Sequence, residues 1–491
     1  MQPISFERFT EQAKKGNVIP IARSIVADLL TPVSAFLKLC PGNDDGFLFE
    51  SVEGGEHVAR YSFLGCNPRE YIEFDGEKIV VSTDDSSESH TGDIFAFLKE
   101  KLASYTFVND PELPRFSGGL VGFFGYDTVR FIEKLPEENA PLENTALAGF
   151  GLYDTILAFD RLKHRILIIT NIILEKDDDL RRSYDQAIRR IESYRQILQR
   201  PIDLIEGEER EAAEIHSNFE PQQFQQAVTR AQKYIQAGDI FQVVLSQQFS
   251  CKVNVPPFYI YRALRQINPS PYLFYVRRKR QSIIGSSPEL LVRVENGEVA
   301  VRPIAGTRPR GSDPVEDDRL ATDLLEDEKE RAEHVMLVDL GRNDVGRVSE
   351  YGSVTLAENM NIERYSHVMH IVSEVRGKLR EGYDAIDAFK AGFPAGTVSG
   401  APKVRAMEII EELEPERRGL YSGAVGYLDF SGNLDTCIAI RTLEVRDGIA
   451  YFQAGAGIVA DSDPQKEYEE TIHKSNALRT ALAVAEKGLK S

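Results

Sequence analysis

The hydrophobic pattern of the chain changes repeatedly between the two-residue period of a β-strand and the longer period of an α-helix. Strands are predicted near residues 151–160 and 165–174. The most apolar run, Ile166 to Leu174, contains two polar residues and is too short to cross a bilayer, so it is predicted to be a buried strand. Hairpins are predicted at three favoured two-residue turns, Asp75-Gly76, Asn296-Gly297 and Asp447-Gly448.

Helical spacing predicts short helices over residues 5–16 and 18–30 and a charged helix over 177–199. A final helix is predicted to begin at Asp463, because an aspartate side chain caps free amides and Pro464 fits the first turn. Strand-rich segments with helices between hairpins favour the α+β class over a doubly wound parallel sheet.

The polar and acidic stretch Pro201–Ser217 is predicted to link an N-terminal region, residues 1–215, to a C-terminal region, residues 216–491. The two regions share one pattern, Gly119-Leu-Val-Gly-Phe123 and Gly423-Ala-Val-Gly-Tyr427. Two strands of this kind could lie in facing sheets. Coincidence between strands of small residues explains the match equally well.

The charge of the chain limits its partners. Its 491 residues carry a formal net charge of −19, which argues against nucleic acid or an anionic membrane surface. The four cysteines are scattered without a CxxC pair, so neither a zinc site nor a disulfide framework is expected. No signal peptide is evident at the N-terminus, and a cytoplasmic protein is predicted.

The most informative stretch is Pro303–Gly311, a glycine-containing turn that includes or adjoins Arg302, Arg308 and Arg310. An acidic segment follows it at Asp327–Asp344. A cationic turn beside carboxylates indicates an anionic substrate held partly through a divalent metal ion.

Two predicted helices each carry carboxylates three residues apart, which places each pair on one helix face. The pairs are Glu330 with Glu333 and Glu467 with Glu470, and Lys474 lies one turn beyond the second pair. Two such helices could hold one Mg²⁺ ion, which prefers oxygen ligands. From spacing alone, solvated helix faces explain the pairs as well.

Other motifs resemble nucleotide-binding fingerprints without fitting them. Gly455-x-Gly457-x-x-Ala460 follows a strand, but the residues after it are predicted to form one helix, with no second strand for a dinucleotide fold. Gly396–Lys403 lacks the Ser or Thr of a P-loop, although Thr397 is a plausible hydroxyl contact for a carboxylate. His367 and His370 lie three apart in a predicted strand, so they face opposite sides.

Several segments occur together in the order typical of chorismate-utilising enzymes, which the chain therefore resembles. They are Asp239-Ile-Phe-Gln-Val-Val244, Pro303-Ile-Ala-Gly-Thr307, Glu333–Asp344, Gly400-Ala-Pro-Lys-Val-Arg-Ala-Met407 and Gln453-Ala-Gly-Ala-Gly457. The resemblance is dense over residues 220–490 and looser before them. It implies an α+β sandwich of two antiparallel sheets flanked by helices, with the active site between the sheets.

The resemblance also implies roles for individual residues. Mg²⁺ would be held by Glu333 and Glu470, with Glu330 and Glu467 in support. His370, with Thr307 and Glu330, would serve catalysis, His370 by assisting departure of the C4 hydroxyl. Chorismate would be bound by Gly306, Thr307, Thr397, Tyr421, Arg441, Gly455, Ala456, Gly457 and Lys474.

Two positions favour the anthranilate-forming branch of the family. Aminodeoxychorismate synthases typically carry a nucleophilic lysine where Ala305 stands, and isochorismate synthases a water-activating lysine where Gln242 stands. Neither residue here can replace its lysine, so ammonia would be the external nucleophile. No glutaminase Cys-His-Glu set is present, so a separate glutaminase subunit, in a heterotetramer, would supply ammonia.

The resemblance extends to a feedback site for L-tryptophan in the N-terminal region. Its residues would be Glu50, Ser51, Pro271, Tyr272, Leu273, Val425 and Tyr427, and Leu273 replaces the methionine common there. Two other functions remain open. One is a related enzyme that forms aminodeoxyisochorismate or aminodeoxychorismate, and the other is a catalytically silent tryptophan-sensing subunit.

Overall fold

The computed structural model describes residues 1–42, 44–51, 60–142, 145–202, 213–365 and 368–489. The middle of the predicted linker, 203–212, and His367 lie outside the described residues. Strands β1–β24 span, in order, Val18–Val26, Gly46–Glu50, Tyr61–Cys66, Glu70–Phe74, Lys78–Ser82, Ser87–Thr91, Gly119–Phe124, Ala148–Tyr153, Thr155–Asp160, Arg165–Ile173, His216–Ser217, Gln242–Lys252, Tyr272–Arg278, Gln281–Ser287, Leu290–Glu295, Glu298–Val301, Ile304–Pro309, Thr355–Arg364, Val368–Lys378, Gly400–Ala401, Ala424–Asp429, Leu434–Ile438, Thr442–Arg446 and Ile449–Ile458.

Twelve α-helices and one 3₁₀ helix, Tyr126–Phe131, lie among these strands in the described ranges. None of the described helices combines the length and the apolar character that crossing a membrane requires. Helices α1–α12 span, in order, Phe6–Gln12, Pro32–Leu39, Ile94–Ala103, Leu180–Leu198, Pro221–Ala237, Pro257–Ile267, Pro314–Glu326, Glu328–Gly346, Ala385–Gly392, Gly396–Ser399, Lys403–Leu413 and Pro464–Glu486.

The strands form two antiparallel sheets of twelve described strands each, which confirms the predicted α+β class. The first sheet runs β1-β10-β9-β3-β2-β13-β14-β23-β24-β12-β11, with β20 beside β12. The second runs β17-β19-β16-β15-β22-β21-β7-β8-β4-β5-β6, with β18 beside β19. Both predicted regions contribute strands to both sheets, since β2 pairs with β13 and β7 with β21.

Aromatic side chains fill the space between the two sheets. Phe47, Phe63 and Phe274 of the first sheet pack with Phe123 and Tyr427 of the second in one buried cluster. Separate apolar clusters lie on the outer faces, where the helices pack. The sheets are therefore joined by a dry core, and a polar site between them must lie where this core ends.

The structure differs at three points from what the sequence suggested, and at the second of them the sequence had left two possibilities open. Residues 18–26 form strand β1 rather than a helix, because their β-branched side chains pair along β10, and Pro20 is tolerated on this edge strand. The two glycine-bearing strands, β7 and β21, are neighbours in one sheet rather than members of facing sheets. Their glycines permit close packing, since a Cβ at Gly122 would overlap the backbone of Gly149.

The third concerns the cysteines. Cys40 and Cys66 form a disulfide, with Cα atoms 5.8 Å apart. One follows α2 and the other ends β3, so their proximity is a tertiary feature that sequence spacing does not reveal. Cys251 and Cys437 are free and buried.

A buried ion pair holds the connection between α11 and β21 against the first sheet. Arg418 and Glu414 are 2.6 Å apart, and both side chains are almost fully buried. Arg418 also donates to the carbonyls of Val398 and Val244. Glu414 accepts from the amide and hydroxyl of Ser246. Every charged atom of the pair is thus hydrogen-bonded.

Replacing Arg418 by Met would leave the Glu414 carboxylate buried without its counter-ion. We expect a loss of about 3–5 kcal/mol in the free energy of unfolding, measured by urea denaturation. Arg405→Met, which removes an exposed partner of Asp239 and Glu408, is the control and should cost less than about 1 kcal/mol. Equal losses in the two variants would contradict this role for Arg418.

Candidate active site between the two sheets

The predicted site residues converge where the chain passes from one sheet to the other. Glu289 lies in the short connection between β14 of the first sheet and β15 of the second. Arg441 lies in the return connection between β22 and β23. The Ile438 amide donates to the Glu289 carbonyl at 3.1 Å, and the Ser286 amide donates to the Arg441 carbonyl at 3.1 Å. These bonds hold the two connections side by side.

Arg441 presents an uncompensated positive charge. Within the described ranges, its guanidinium has no hydrogen-bond or ion-pair partner. Burial lowers the pKa of Arg441, and the Glu289 carboxyl opposes that effect. Its backbone is held at φ +48°, a left-handed conformation that is costly for a residue with a side chain. A half-buried cation without such a partner is suited to receive an anionic ligand.

Glu289 is a functional candidate that the sequence reasoning missed. Thr397 Oγ1 donates to Glu289 Oε1 at 2.8 Å. Burial raises the pKa of Glu289 to about 7, against the opposing effects of Thr397 and Arg441, so near neutrality the carboxyl is protonated much of the time. The available signal was a carboxylate placed directly before the apolar run Leu290-Leu-Val292.

His370 lies on β19 opposite the glycine turn of β17. Its Nδ1 is 2.8 Å from the Gly306 carbonyl and 3.1 Å from the Thr307 hydroxyl. A carbonyl only accepts, so Nδ1 carries the proton and Nε2 is left as an acceptor. Burial lowers the pKa of His370, which keeps the ring neutral. The structure thus brings together three residues predicted to serve the reaction.

The glycines of β24 form the floor of the site. A Cβ at Gly455 would lie 2.7 Å from the Tyr421 hydroxyl, and one at Gly457 would lie 2.6 Å from the Gln242 amide nitrogen. These contacts place Tyr421 and Gln242 against the same face of the strand. The side chain of Ala456 packs in the core with the opposite face, so it can offer only its backbone to a ligand.

The two carboxylate pairs stand at the start of α8 and of α12. Glu330 lies close to the glycine turn, since a Cβ at Gly306 would be 3.1 Å from Glu330 Oε2. Burial and the neighbouring Glu333 raise the pKa of Glu330. On α12, Lys474 Nζ is 2.7 Å from Glu470 Oε1 and donates to the Gly455 carbonyl at 3.1 Å.

Helix α8 is tied to the loop that precedes α12. Lys329 Nζ and Asp461 Oδ2 are 3.3 Å apart. The positive charge of Lys329 also opposes the effect of burial, which raises the pKa of Glu467. Among the described residues, no three His, Cys, Asp or Glu side chains are close enough to hold a metal ion by themselves. The donor chemistry of the two pairs fits Mg²⁺, which accepts two carboxylates when a substrate and water provide the other oxygens.

The arginine turn does not provide the cationic receptor that its sequence indicated. Arg308 pairs with Asp323, Asp327 and Glu330, and Arg310 pairs with Asp317. Arg302 is likewise paired with Glu358 and Glu363. The three arginines therefore fix the geometry of α7, α8 and β18, and their charges are neutralised by carboxylates.

All seven residues predicted for the feedback site line one second cavity between the sheets. They are Glu50, Ser51, Pro271, Tyr272, Leu273, Val425 and Tyr427. The Glu50 carboxylate is held by Arg265 at 2.8 Å and by the Tyr261 hydroxyl at 2.7 Å. The sequence reasoning missed Arg115 and Asp435, which line the same cavity and are 3.0 Å apart.

Comparison with known proteins identifies relatives of the whole chain. The family model for chorismate binding enzymes matches residues 47–480. The chain is 49% identical over 483 residues to anthranilate synthase component 1 of Acetivibrio thermocellus, covering 96% of this chain and 97% of that protein. It is 47% identical over 489 residues to the component of the same name from Aquifex aeolicus, covering 98% of each.

Solved structures show the same architecture. Anthranilate synthase component I of Streptococcus pneumoniae superposes with a TM-score of 0.77 at 39% identity, covering 93% of this chain and 99% of that chain. The menaquinone-specific isochorismate synthase of Escherichia coli superposes with a TM-score of 0.69 at 19% identity, covering 97% of this chain and 98% of that chain, and supports the fold alone.

The raised pKa of Glu289 predicts a pH-dependent effect of Glu289→Gln on stability. Because the folded pKa of about 7 exceeds the ordinary value of 4.5, burial of this carboxyl destabilises the fold increasingly as pH rises from 4.5 through 7. Glutamine does not ionise. The free energy of unfolding of the variant, relative to wild type, should therefore rise by about 2–3 kcal/mol between pH 5 and pH 8.

Denaturant titrations at the two pH values measure this difference. Glu326→Gln, at an exposed position of α7, is the matched control and should show no such change. A pH-independent difference for Glu289→Gln would mean that this carboxyl is ionised in the folded protein at neutral pH.

Proposed function

This chain belongs to the chorismate-binding enzyme family, and we propose that it is the component of anthranilate synthase that converts chorismate. In this reaction ammonia adds at C2 of chorismate, the C4 hydroxyl leaves, and pyruvate is eliminated to give anthranilate. The relatives that match the whole chain carry this name. The observation that carries the proposal is the Arg441 guanidinium, which has no hydrogen-bond or ion-pair partner among the described residues, beside the protonatable Glu289 carboxyl.

The two charges of chorismate are recognised by different parts of the site. Arg441 binds one carboxylate, the β24 backbone adds hydrogen bonds, and the Thr397 hydroxyl, which donates to Glu289 in the free protein, turns to the carboxylate. Glu333 and Glu470 would hold Mg²⁺, with Glu330 and Glu467 beside them. When bound, Mg²⁺ neutralises the ring carboxylate and favours electron density on it.

The acid and base roles follow from the protonation of the two titratable groups. Glu289 holds a proton up to pH about 7, so it donates to the departing C4 hydroxyl. His370 is neutral with its proton on Nδ1, so Nε2 takes up a proton during the reaction. Thr307 and the Gly306 carbonyl hold the ring in that tautomer. This assignment revises the role that the resemblance gave to His370.

The nucleophile comes from outside the chain. Ala305 and Gln242 offer neither an amine nor a base. All four cysteines are buried in the structure, so none provides the exposed thiol of a glutaminase. A separate glutaminase subunit in a cytoplasmic heterotetramer supplies ammonia.

The second cavity is the feedback site for L-tryptophan. Phe49, Tyr61 and Phe63 add aromatic surface to the seven predicted residues, which suits an indole. Asp435 and Arg115 add one charge of each sign, which suits the ammonium and carboxylate of an amino acid. The enzyme is thereby inhibited by the end product of tryptophan biosynthesis.

A product assay tests the proposal. The purified chain is incubated with chorismate, Mg²⁺ and an excess of an ammonium salt from neutral to alkaline pH, with and without L-tryptophan, and products are measured by fluorescence and mass. Equal amounts of anthranilate and pyruvate, suppressed by tryptophan, are expected. An aminated ring that keeps its enolpyruvyl group would move the function to an aminodeoxyisochorismate or aminodeoxychorismate synthase. No product would favour a silent tryptophan-sensing subunit.

The metal assignment predicts different effects at two neighbouring glutamates of α12. Glu470→Gln removes a ligand charge, so the Mg²⁺ concentration for half-maximal activity should rise at least about tenfold. Glu469→Gln is the control, because Glu469 is exposed and bonded to Gln465, and it should leave this concentration unchanged. Direct Mg²⁺ binding is measured in parallel by calorimetry. Equal behaviour of the two variants would refute the assignment.

A further inference from the structure

A four-residue segment, Ser286–Glu289, lies between the feedback cavity and the active site. Its first two residues end β14, directly opposite cavity residues of β13. Leu273 is paired with Ser286, and Tyr272 is paired with Ser287. Its last residue is the candidate acid Glu289. The segment therefore contacts both sites through adjacent residues.

The side chains of Ser286 and Ser287 are hydrogen-bonded to residues in and beside the wall of the feedback cavity. The Ser286 hydroxyl donates to the Asn268 carbonyl, and Asn268 Nδ2 donates to Ser286 Oγ at 3.0 Å. Asn268 begins the loop that carries Pro271 into the cavity. The Ser287 hydroxyl interacts with the thiol of Cys437, which lines the same cavity.

The backbone of the segment is fastened to the active site. The Ser286 amide donates to the carbonyl of Arg441, the residue held in the strained left-handed conformation. The Glu289 carbonyl accepts from the Ile438 amide, in the strand that leads to Arg441. Ser286 is completely buried, so it cannot shift on one side without disturbing the other.

We propose that Ser286 is a positioning residue that couples occupancy of the feedback cavity to the placement of Arg441 and Glu289. Its hydroxyl is hydrogen-bonded to Asn268, so a shift of the Asn268 loop shifts Ser286. Its amide donates to the Arg441 carbonyl. A tryptophan that moves the loop thereby moves the group that binds the substrate carboxylate. This inference rests on the proposed function, which supplies both ligands.

Ser286→Ala separates the two connections, because it removes both hydroxyl bonds to Asn268 and keeps the amide bond to Arg441. The test measures the dissociation constant of L-tryptophan by calorimetry, with Mg²⁺ and without ammonia, in the absence and presence of saturating chorismate. The ratio of the two constants is the coupling between the sites, which is commonly about 5- to 150-fold. Linkage requires the same ratio for chorismate binding with and without tryptophan.

Two further variants keep the test decisive. Ser282→Ala removes another buried hydroxyl from β14, one that is hydrogen-bonded to Tyr275 at 3.2 Å and has no such bond to Asn268, and should keep the wild-type coupling. Asn268→Ala removes the Nδ2 bond and keeps the carbonyl acceptor, so its coupling should lie between those of wild type and Ser286→Ala. Thermal unfolding checks that each variant is folded.

The proposal expects Ser286→Ala to bind tryptophan within about threefold of wild type and to lose most of the coupling. Unchanged coupling in both Ser286→Ala and Asn268→Ala would overturn it. Loss of tryptophan binding in Ser286→Ala would also overturn it, because Ser286 would then only shape the cavity. Wild-type protein that binds chorismate but no tryptophan would instead refute the feedback site itself.

Discussion

The site depends on one charge, the Arg441 guanidinium, which has no hydrogen-bond or ion-pair partner in the part of the chain that the structure describes. Partial desolvation of this half-buried cation costs stability, and the left-handed backbone at this residue adds strain. Two large sheets with a continuous aromatic core between them can tolerate both costs. In the proposed function, a substrate carboxylate supplies this partner, so binding removes a cost that the free protein carries.

Glu289 lies beside Arg441, and near neutrality it is protonated much of the time, so it does not neutralise the guanidinium. A carboxyl that is protonated near neutrality leaves Arg441 available to an anion and has a proton to donate. The two residues meet because the chain crosses between the sheets at both places. The overall charge of −19 gives no general attraction for a dianion, so recognition has to be local.

Much of the fold and site can be predicted from local sequence. The hairpins at Asp75-Gly76 and Asn296-Gly297 and the cap at Asp463 are encoded by a few adjacent residues, and the structure has them. Strand β1 was mistaken for a helix because its identity depends on pairing with β10, far along the chain. The resemblance named seven residues from distant segments, and the structure brings them together around the second cavity.

Glu289 escaped the sequence reasoning because its chemistry arises from burial and from Thr397, 108 residues away. The arginine turn suggested an anion-binding site because its charges looked free in the sequence. In the fold they are neutralised by carboxylates from other segments. Charged residues in a sequence show what could bind an anion. Which of them remains unpaired is decided by tertiary structure.

The most direct test of this account is the thermal stability of wild type and Arg441→Gln, each with and without chorismate, in the absence of ammonia. The account predicts that the variant alone is at least as stable as wild type, and that chorismate stabilises wild type but not the variant. A variant that is much less stable alone, or that chorismate stabilises equally, would show that Arg441 serves the fold rather than the substrate.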